Sequence, residues 1–307
     1  MQRYDSLQAA HLDRSWVTVG TFDGVHLGHQ KIIRGLVDHA HQNDRQAVVV
    51  TFHPHPTLVL GGKKKLFYLT LPEKRVQLFG ALGVDGVIIH PFTRQVAEES
   101  AERFISRLKR HLGMERLWVG YDFALGKNRE GNAQKLHQLG KTYDYELHQV
   151  PPYQLDGEVV SSSFIRGLLQ EGRVQEASRY LGRLFEVAGV VVGGDRRGKR
   201  LGFPTANLDV PQEMARVKPG VYACYVMVGE EQKKAVTNVG FRPTFHDPID
   251  LPLVETHILD FSGDLYGDEL EIRFHTLLRE ERKFASVPDL KGQIRQDVAH
   301  TRDILGR

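Results

Sequence analysis

Cysteine is almost absent: Cys224 stands alone in 307 residues, so neither an intrachain disulfide nor a thiolate metal cage can form. Its apolar setting, Val221 to Val228, predicts a small core residue. Long hydrophobic runs are also missing. Nowhere do about 18 uncharged apolar residues follow one another, so no membrane-spanning helix is expected. Met1 to Ser6 lack the apolar stretch of a secretory signal, and the expectation is a soluble, cytoplasmic protein. Net charge is small, with 41 basic against 38 acidic residues leaving +3. That balance excludes a nucleic-acid footprint and suits anionic small substrates. Internal repeats, low-complexity tracts and a long flexible linker are lacking as well.

The remaining pattern divides in two, as a chain longer than one hydrophobic core usually serves should do. Up to residue 183 short apolar runs (16–20, 47–52, 84–89, 116–120, 146–150) alternate with helical patterns (28–43, 72–82, 97–112, 131–141), closed by helical stretches at 163–171 and 174–182. This βαβα order predicts a Rossmann-like parallel sheet covered on both faces, with its sites at the strand C-termini. From 184 to 307 the period changes to strands at 185–192, 221–228, 235–239, 254–261 and 269–277. Residues 269–274 alternate strictly, which places Leu270, Ile272 and Phe274 on a buried face. Turns rich in Gly and Pro separate these strands, so a small antiparallel β-barrel is expected. A C-terminal helix follows, with Leu290, Ile294, Val298 and Ile304 as its apolar stripe.

In the first half, Gly20-Thr-Phe22-Asp23-Gly24-Val-His26-Leu-Gly28-His29 lies between an apolar strand and an amphipathic helix. A Gly-rich turn entering a helix N-terminus offers free N–H groups and a positive dipole to an anion. Two histidines placed there suit charge building up on an α-phosphate during nucleotidyl transfer, with no covalent intermediate. After the second strand, His53 and His55 sit in a Pro-stiffened loop, Thr51 to Pro56. An H-x-H pair can bind zinc, but neither paired cysteines nor H-E-x-x-H accompany it. Asp122 follows the 116–120 strand, where it either caps its loop or meets a ligand. Ser161, Ser162 and Ser163 precede a helix on which Arg166, one turn in, can reach phosphates from the end that offers backbone N–H groups.

In the second half, Gly193 to Arg200 nearly spells a Walker A loop. Arg200 replaces the metal-binding hydroxyl and no helix is expected to follow, so that reading is rejected. Next comes Leu201-Gly-Phe-Pro-Thr205-Ala-Asn207-Leu208. A hydroxyl and an amide oxygen two residues apart in a Pro-stiffened turn suit Mg²⁺, which takes few protein ligands beside nucleotide phosphates. Glu255 interrupts an apolar strand and reads by itself as an edge-strand surface carboxylate. Arg279 to Phe284 reads by itself as an exposed charged connection.

These segments also carry a resemblance. Gly20–His29 resembles the HxGH nucleotidyltransferases in the form found in prokaryotic FAD synthetases. Gly120–Gly126 is similar to that family's GxDFxFG segment, with Leu125 at its last aromatic position, and Ser161–Arg166 to its SSSxIR element. Leu201–Leu208 resembles the LGFPTAN segment of riboflavin kinases, followed in order by matches at Pro219–Tyr222, Asn238–Phe245 and Val254–Phe261. The resemblance covers about residues 5–300 and implies a bifunctional enzyme. The barrel would phosphorylate riboflavin with ATP to FMN, and the α/β domain would adenylylate FMN with a second ATP to FAD. It implies that His26 and His29 stabilise the transition state, that the 20–28 turn with His53 and His55 holds ATP, and that Asp122 contacts the flavin nucleotide or metal-bound phosphates. Arg166 and the serines would clamp pyrophosphate. Thr205 and Asn207 would bind Mg–ATP beneath a phosphate-covering turn with Gly198 and Lys199, where the family usually carries Arg. Glu255 would take the proton of the ribityl hydroxyl, and the segment from Arg279 would close over the flavin ring. Two rivals stand beside this: a single-activity adenylyltransferase with a flavin-binding barrel, and a non-catalytic flavin-binding protein.

Overall fold

The computed structural model describes residues 1–61, 67–194, 197–242 and 251–306, without the side chains of 197, 199, 241, 242, 251 and 252. Contacts divide the chain into two compact units, Met1–Ser162 and Ser163–Arg307.

The first unit is a six-stranded sheet of β1 (Gln2–Tyr4), β2 (Ser15–Gly20), β3 (Gln46–His53), β4 (Gly86–Pro91), β5 (Met114–Gly120) and β6 (Glu146–Val150). The strands run parallel in the order β1-β4-β3-β2-β5-β6. The order reverses between β2 and β5, the topological switch point where ligands of open α/β sheets bind. The apolar runs are nearly continuous because each strand is buried on both sides. Val48 and Val50 of β3 point into one core with Phe104, Leu108 and Leu136. Ala47 and Val49 point into the other with Ile33, Leu36 and Phe79.

The covering helices are α1 (Leu27–Gln42), α2 (Pro56–Val59), α3 (Pro72–Ala81), α4 (Arg94–Ala97), α5 (Ala101–Leu112) and α6 (Ala133–Tyr143). The stretch expected as one helix over 97–112 is two, because the Ser100 hydroxyl accepts the Arg103 N–H and starts α5 afresh. A two-residue hairpin pair, β7 (Gln154–Leu155) and β8 (Glu158–Val159), closes the unit.

The second unit opens with α7 (Ser162–Gln170) and α8 (Val174–Leu181) and continues as a closed antiparallel barrel. Its strands are β9 (Phe185–Val192), β10 (Ala206–Asp209), β11 (Gly220–Val228), β12 (Glu231–Arg242), β13 (Leu251–Ile258) and β14 (Glu269–Arg279), with α9 (Arg197–Leu201) between β9 and β10 and α10 (Val287–Ile304) last. A one-turn helix thus stands inside the near-Walker segment where none was expected. It lies between antiparallel barrel strands and ends at Gly202 (φ 89°), unlike the long helix that follows a phosphate loop. In this division α7 and α8 go with the barrel, to which they are fastened. The Lys218 N–H donates to the Leu169 carbonyl (2.9 Å), and the Phe185 N–H to the Ser178 hydroxyl (3.3 Å).

Inside the barrel Tyr222, Cys224, Ile272 and Phe274 are fully buried, and the hydroxyls of Thr237 and Thr256 meet at 3.1 Å. Burial pushes the Cys224 thiol up to about 12, the chemistry of a core residue. On α10 the expected apolar stripe is only half-buried. The most buried positions are Asp297 and Thr301, and Asp297 takes the guanidinium of Arg279 through both carboxylate oxygens (2.8–3.1 Å).

Candidate active sites

In the first unit the sheet ends gather the candidates. After β2 the backbone turns through three positive φ angles, Phe22 (47°), Gly24 (85°) and Val25 (40°), before α1 begins. Two of these residues are not glycine, so the turn carries strain that its surroundings must hold. Asp23 does part of that work. It is buried, and its carboxylate accepts the N–H groups of Leu69 and Thr70 (3.0–3.2 Å), while the Gly24 N–H donates to the Thr70 hydroxyl (2.9 Å). From the other side the Ser162 hydroxyl donates to the Asp23 carbonyl (2.8 Å).

His26 caps α1, its Nδ1 accepting the His29 N–H at 3.4 Å. The two imidazoles stack with centroids 3.5 Å apart and planes 20° apart. Gly28 permits this, since a Cβ there would press on the His26 ring at 3.2 Å. Gly20 has a similar duty toward Phe22, whose ring lies 2.9–3.2 Å from where a Cβ would be and meets His29 edge-on. Burial first, then the neighbouring His26 and the Arg75 cation, hold His29 well below the usual histidine range. His29 is therefore held neutral beside His26 at the positive end of a helix, an arrangement that can receive an anion.

The other first-half candidates are placed differently. His55 caps α2, its Nδ1 accepting the Thr57 N–H and its own N–H donating to the Tyr68 hydroxyl (2.8 Å), so its role in the fold is local. His53 at the end of β3 is exposed. Asp122 is exposed beyond β5, on the far side of the switch point from β2, and its carbonyl accepts from Arg129 (2.7 Å). Leu125 packs against the core, so an aliphatic side chain serves at that position. Ser161 and Ser162 are half-buried and Ser163 exposed; Arg166 follows one turn along α7.

In the second unit the candidates meet by strand register. Asn207 on β10 lies opposite Glu255 on β13, which lies opposite Asn238 on β12. Directly opposed residues share a face with Cβ atoms about 4.5–5.5 Å apart, so these three side chains form one polar row outside the barrel core. The neighbours Val254 and Thr256 point inward and are buried, whereas Glu255 is half-buried. The Oδ1 of Asn207 is buried and has no hydrogen-bond partner among the described residues. The preceding turn lies close against it: a Cβ on Gly194 would fall 2.3 Å from the Asn207 amide nitrogen, and one on Gly198 would fall 3.1 Å from the Thr205 hydroxyl. A buried, unpaired hard oxygen with a hydroxyl two residues before it fits the oxygen-donor set of Mg²⁺.

The side chain of Lys199 lies outside the described residues, as do Asp195, Arg196 and the 243–245 end of the Asn238–Phe245 segment. Arg279 is engaged by Asp297, and Phe284 lies 5.7 Å from its guanidinium. Two residues beside these candidates escaped the reading of the sequence. Asn238 was visible only as one letter of a motif, and Arg75 only as a charge within the 72–82 helical pattern.

The family model for FAD synthetase matches residues 8–164 and that for riboflavin kinase residues 181–305. A bifunctional riboflavin kinase/FMN adenylyltransferase of Listeria monocytogenes is 37% identical over 95% of this chain and 92% of its own. One of the same name from Escherichia coli K12 is 34% identical over 94% and 92%. A solved structure from Streptococcus pneumoniae, named a macrolide-efflux protein, superposes with a TM-score of 0.88 over 98% of each chain at 28% identity. Among the described residues of the present chain, no helix is long and apolar enough to cross a membrane.

Proposed function

The chain belongs to the bifunctional riboflavin kinase/FMN adenylyltransferases, and on that premise we propose how its residues divide two successive reactions. Riboflavin is phosphorylated by ATP to FMN, and FMN is adenylylated by a second ATP to FAD and pyrophosphate. The observation that carries the division is that the two polar constellations fall in different units, the histidine pair in Met1–Ser162 and the Asn207–Glu255 pair in Ser163–Arg307.

For the first reaction Glu255 accepts the proton of the ribityl 5′-hydroxyl as its oxygen bonds to the γ-phosphorus and the bond to the β-phosphate oxygen breaks. Asn207 and Thr205 are the oxygen ligands for Mg²⁺, which brings charge neutralisation to ATP when bound. The Gly198–Lys199 turn covers the phosphates, and the segment from Arg279 covers the flavin. Asp297 orients the Arg279 guanidinium.

For the second reaction a phosphate oxygen of FMN bonds to the α-phosphorus of ATP, and the bond to the β-phosphate bridge breaks. His26 and His29, with the N–H groups of the turn from Gly20 through Phe22, Asp23 and Gly24 to Gly28, stabilise the charge on the α-phosphate. His53 and Asp122 contact nucleotide from the neighbouring strand ends, and His55 shapes the loop that carries His53. Ser161 and Ser162, the last residues of the same unit, contact the phosphates of ATP. The single buried cysteine and the balanced charge support a cytoplasmic enzyme acting on small anions rather than nucleic acid.

The test is a timed incubation of the full chain with riboflavin and Mg–ATP, separating flavins by chromatography, beside a reaction started from FMN. FMN first and FAD later is expected, and chelation of the metal should stop both. Asn207→Leu should end the thermal stabilisation given by Mg–ATP to the second unit; retention of that shift would remove Asn207 from the metal site.

A further inference from the structure

Arg75 has no exposed surface, an unusual state for an arginine. It projects from α3, and its Nη1 donates both to the Thr21 carbonyl and to the Thr51 hydroxyl (3.1 Å), while that hydroxyl itself donates to the Thr21 carbonyl (3.1 Å). Thr21 opens the turn that carries His26 and His29, and Thr51 stands two residues before His53 at the end of β3. Among the described residues the Nε and Nη2 of Arg75 have no hydrogen-bond partner. Burying these N–H groups costs stability, which the facing Asp23 carboxylate offsets in part. The same segment holds the site elsewhere too: Leu69 and Thr70 grip Asp23, and Tyr68 receives the His55 N–H.

We propose that Arg75 is a positioning residue for adenylyl transfer: its buried guanidinium ties the histidine turn after β2 to the end of β3 and sets the spacing of the two loops that receive the nucleotide. This rests on the assignment of adenylyl transfer to His26 and His29. A second consequence concerns charge. His29 is faced by His26 from its own turn, by the Arg75 cation from α3 and by the uncharged edge of Phe22, while Asp23 faces Arg75. Burial and His26 lower His29 first, and the cation disfavours its protonation further.

The test uses the full chain with Arg75→Met, Arg75→Gln and His29→Asn, measuring kcat, KM and pH profile for FMN to FAD, the riboflavin kinase rate, and the unfolding midpoint. Arg75→Met should lower kcat for FAD formation about 100-fold, the scale of an ångström's misplacement, with KM little changed. Its acid limb should move to higher pH, because His29 then protonates more readily. The kinase rate should hold. Arg75→Gln keeps a donor but not the charge, so it should lose less in kcat and still move the acid limb. Wild-type kcat and acid limb in Arg75→Met, with His29→Asn inactive, would overturn the role of Arg75. Full activity in His29→Asn would instead overturn the reading beneath it. Should Arg75→Met not fold, a folded Arg75→Gln with wild-type kcat and acid limb overturns the proposal equally.

Discussion

The two units build polar sites by opposite means. In the first, the working side chains leave the ends of parallel strands on a strained turn, and what fixes them is a set of anchors beneath it: Asp23 on Leu69 and Thr70, Arg75 on Thr21 and Thr51. In the second, Asn207, Glu255 and Asn238 sit within strands, and the ladder register alone brings them abreast. A site made by a turn has short sequence separation and a recognisable spelling. A site made by register is assembled from three segments far apart in sequence. The first is vulnerable to what lies under the turn, the second to what lies over the row.

The largest effect expected separates the two sites outright. Glu255→Gln should slow FMN formation by about 10²–10⁴, the usual worth of a general base, and leave FMN-to-FAD conversion intact in the same preparation. Equal loss of both rates would mean that the sites are not separate. A pair of glycine variants sharpens the contrast. In Gly194→Ala the new methyl falls 2.3 Å from the Asn207 amide, too close to tolerate, so Asn207 must swing away. FMN formation should fall about 100-fold, on the scale of a misplaced group. In Gly28→Ala the methyl meets the His26 ring at 3.2 Å, which a small ring shift relieves. FAD formation should fall about tenfold, while helix propensity favours Ala by roughly 0.5–1 kcal/mol and opposes any loss of stability. If Gly28→Ala proved the more damaging in steady-state assays, the turn would be the stiffer of the two constructions.

The smallest effect is on stability against pH. His90 is held at about 4, chiefly by burial and then by Arg107, and His29 is also lowered, whereas an unperturbed histidine stands at 6.5. Below 6.5 the unfolded chain therefore binds protons that the folded one refuses. Stability is fully present above that value and is lost as pH falls from it toward 4. Denaturant midpoints for the first unit between pH 7 and 4.5 should fall, and His90→Gln should flatten the slope. An unaltered slope would remove His90 as a source.

Much of the fold was legible where periodicity is local. The five longer strands of the sheet and its main helices follow apolar runs and 3.6-residue stripes, and Phe185–Val192 coincides with its predicted bounds. β1 and β10 were not, since three polar-flanked residues and a Pro-Thr-Ala-Asn stretch read as loop and turn; both owe their strand character to partners far away in sequence. Nor does anything within α8 say that it packs on β9 and β14. At the sites, the histidine turn announced itself in ten consecutive letters. Asn207 and Glu255 stood out through resemblance, and Arg75 did not stand out at all. A buried arginine spells the same as an exposed one, and its place is decided by packing that only the folded chain reveals.

The topology leaves one further mark, on how each unit withstands crowding by copies of itself. Every strand of the barrel is bonded on both sides, so it presents no open edge to a neighbour. The parallel sheet must end somewhere, and it ends in β1, three residues long, and β6, where Glu146, His148 and Gln149 are exposed and Glu146 pairs with Arg116 at 2.7 Å. Brevity guards one edge and polar, partly charged side chains the other, so resistance to aggregation is inherent in the closed half and has to be spelled out residue by residue in the open one.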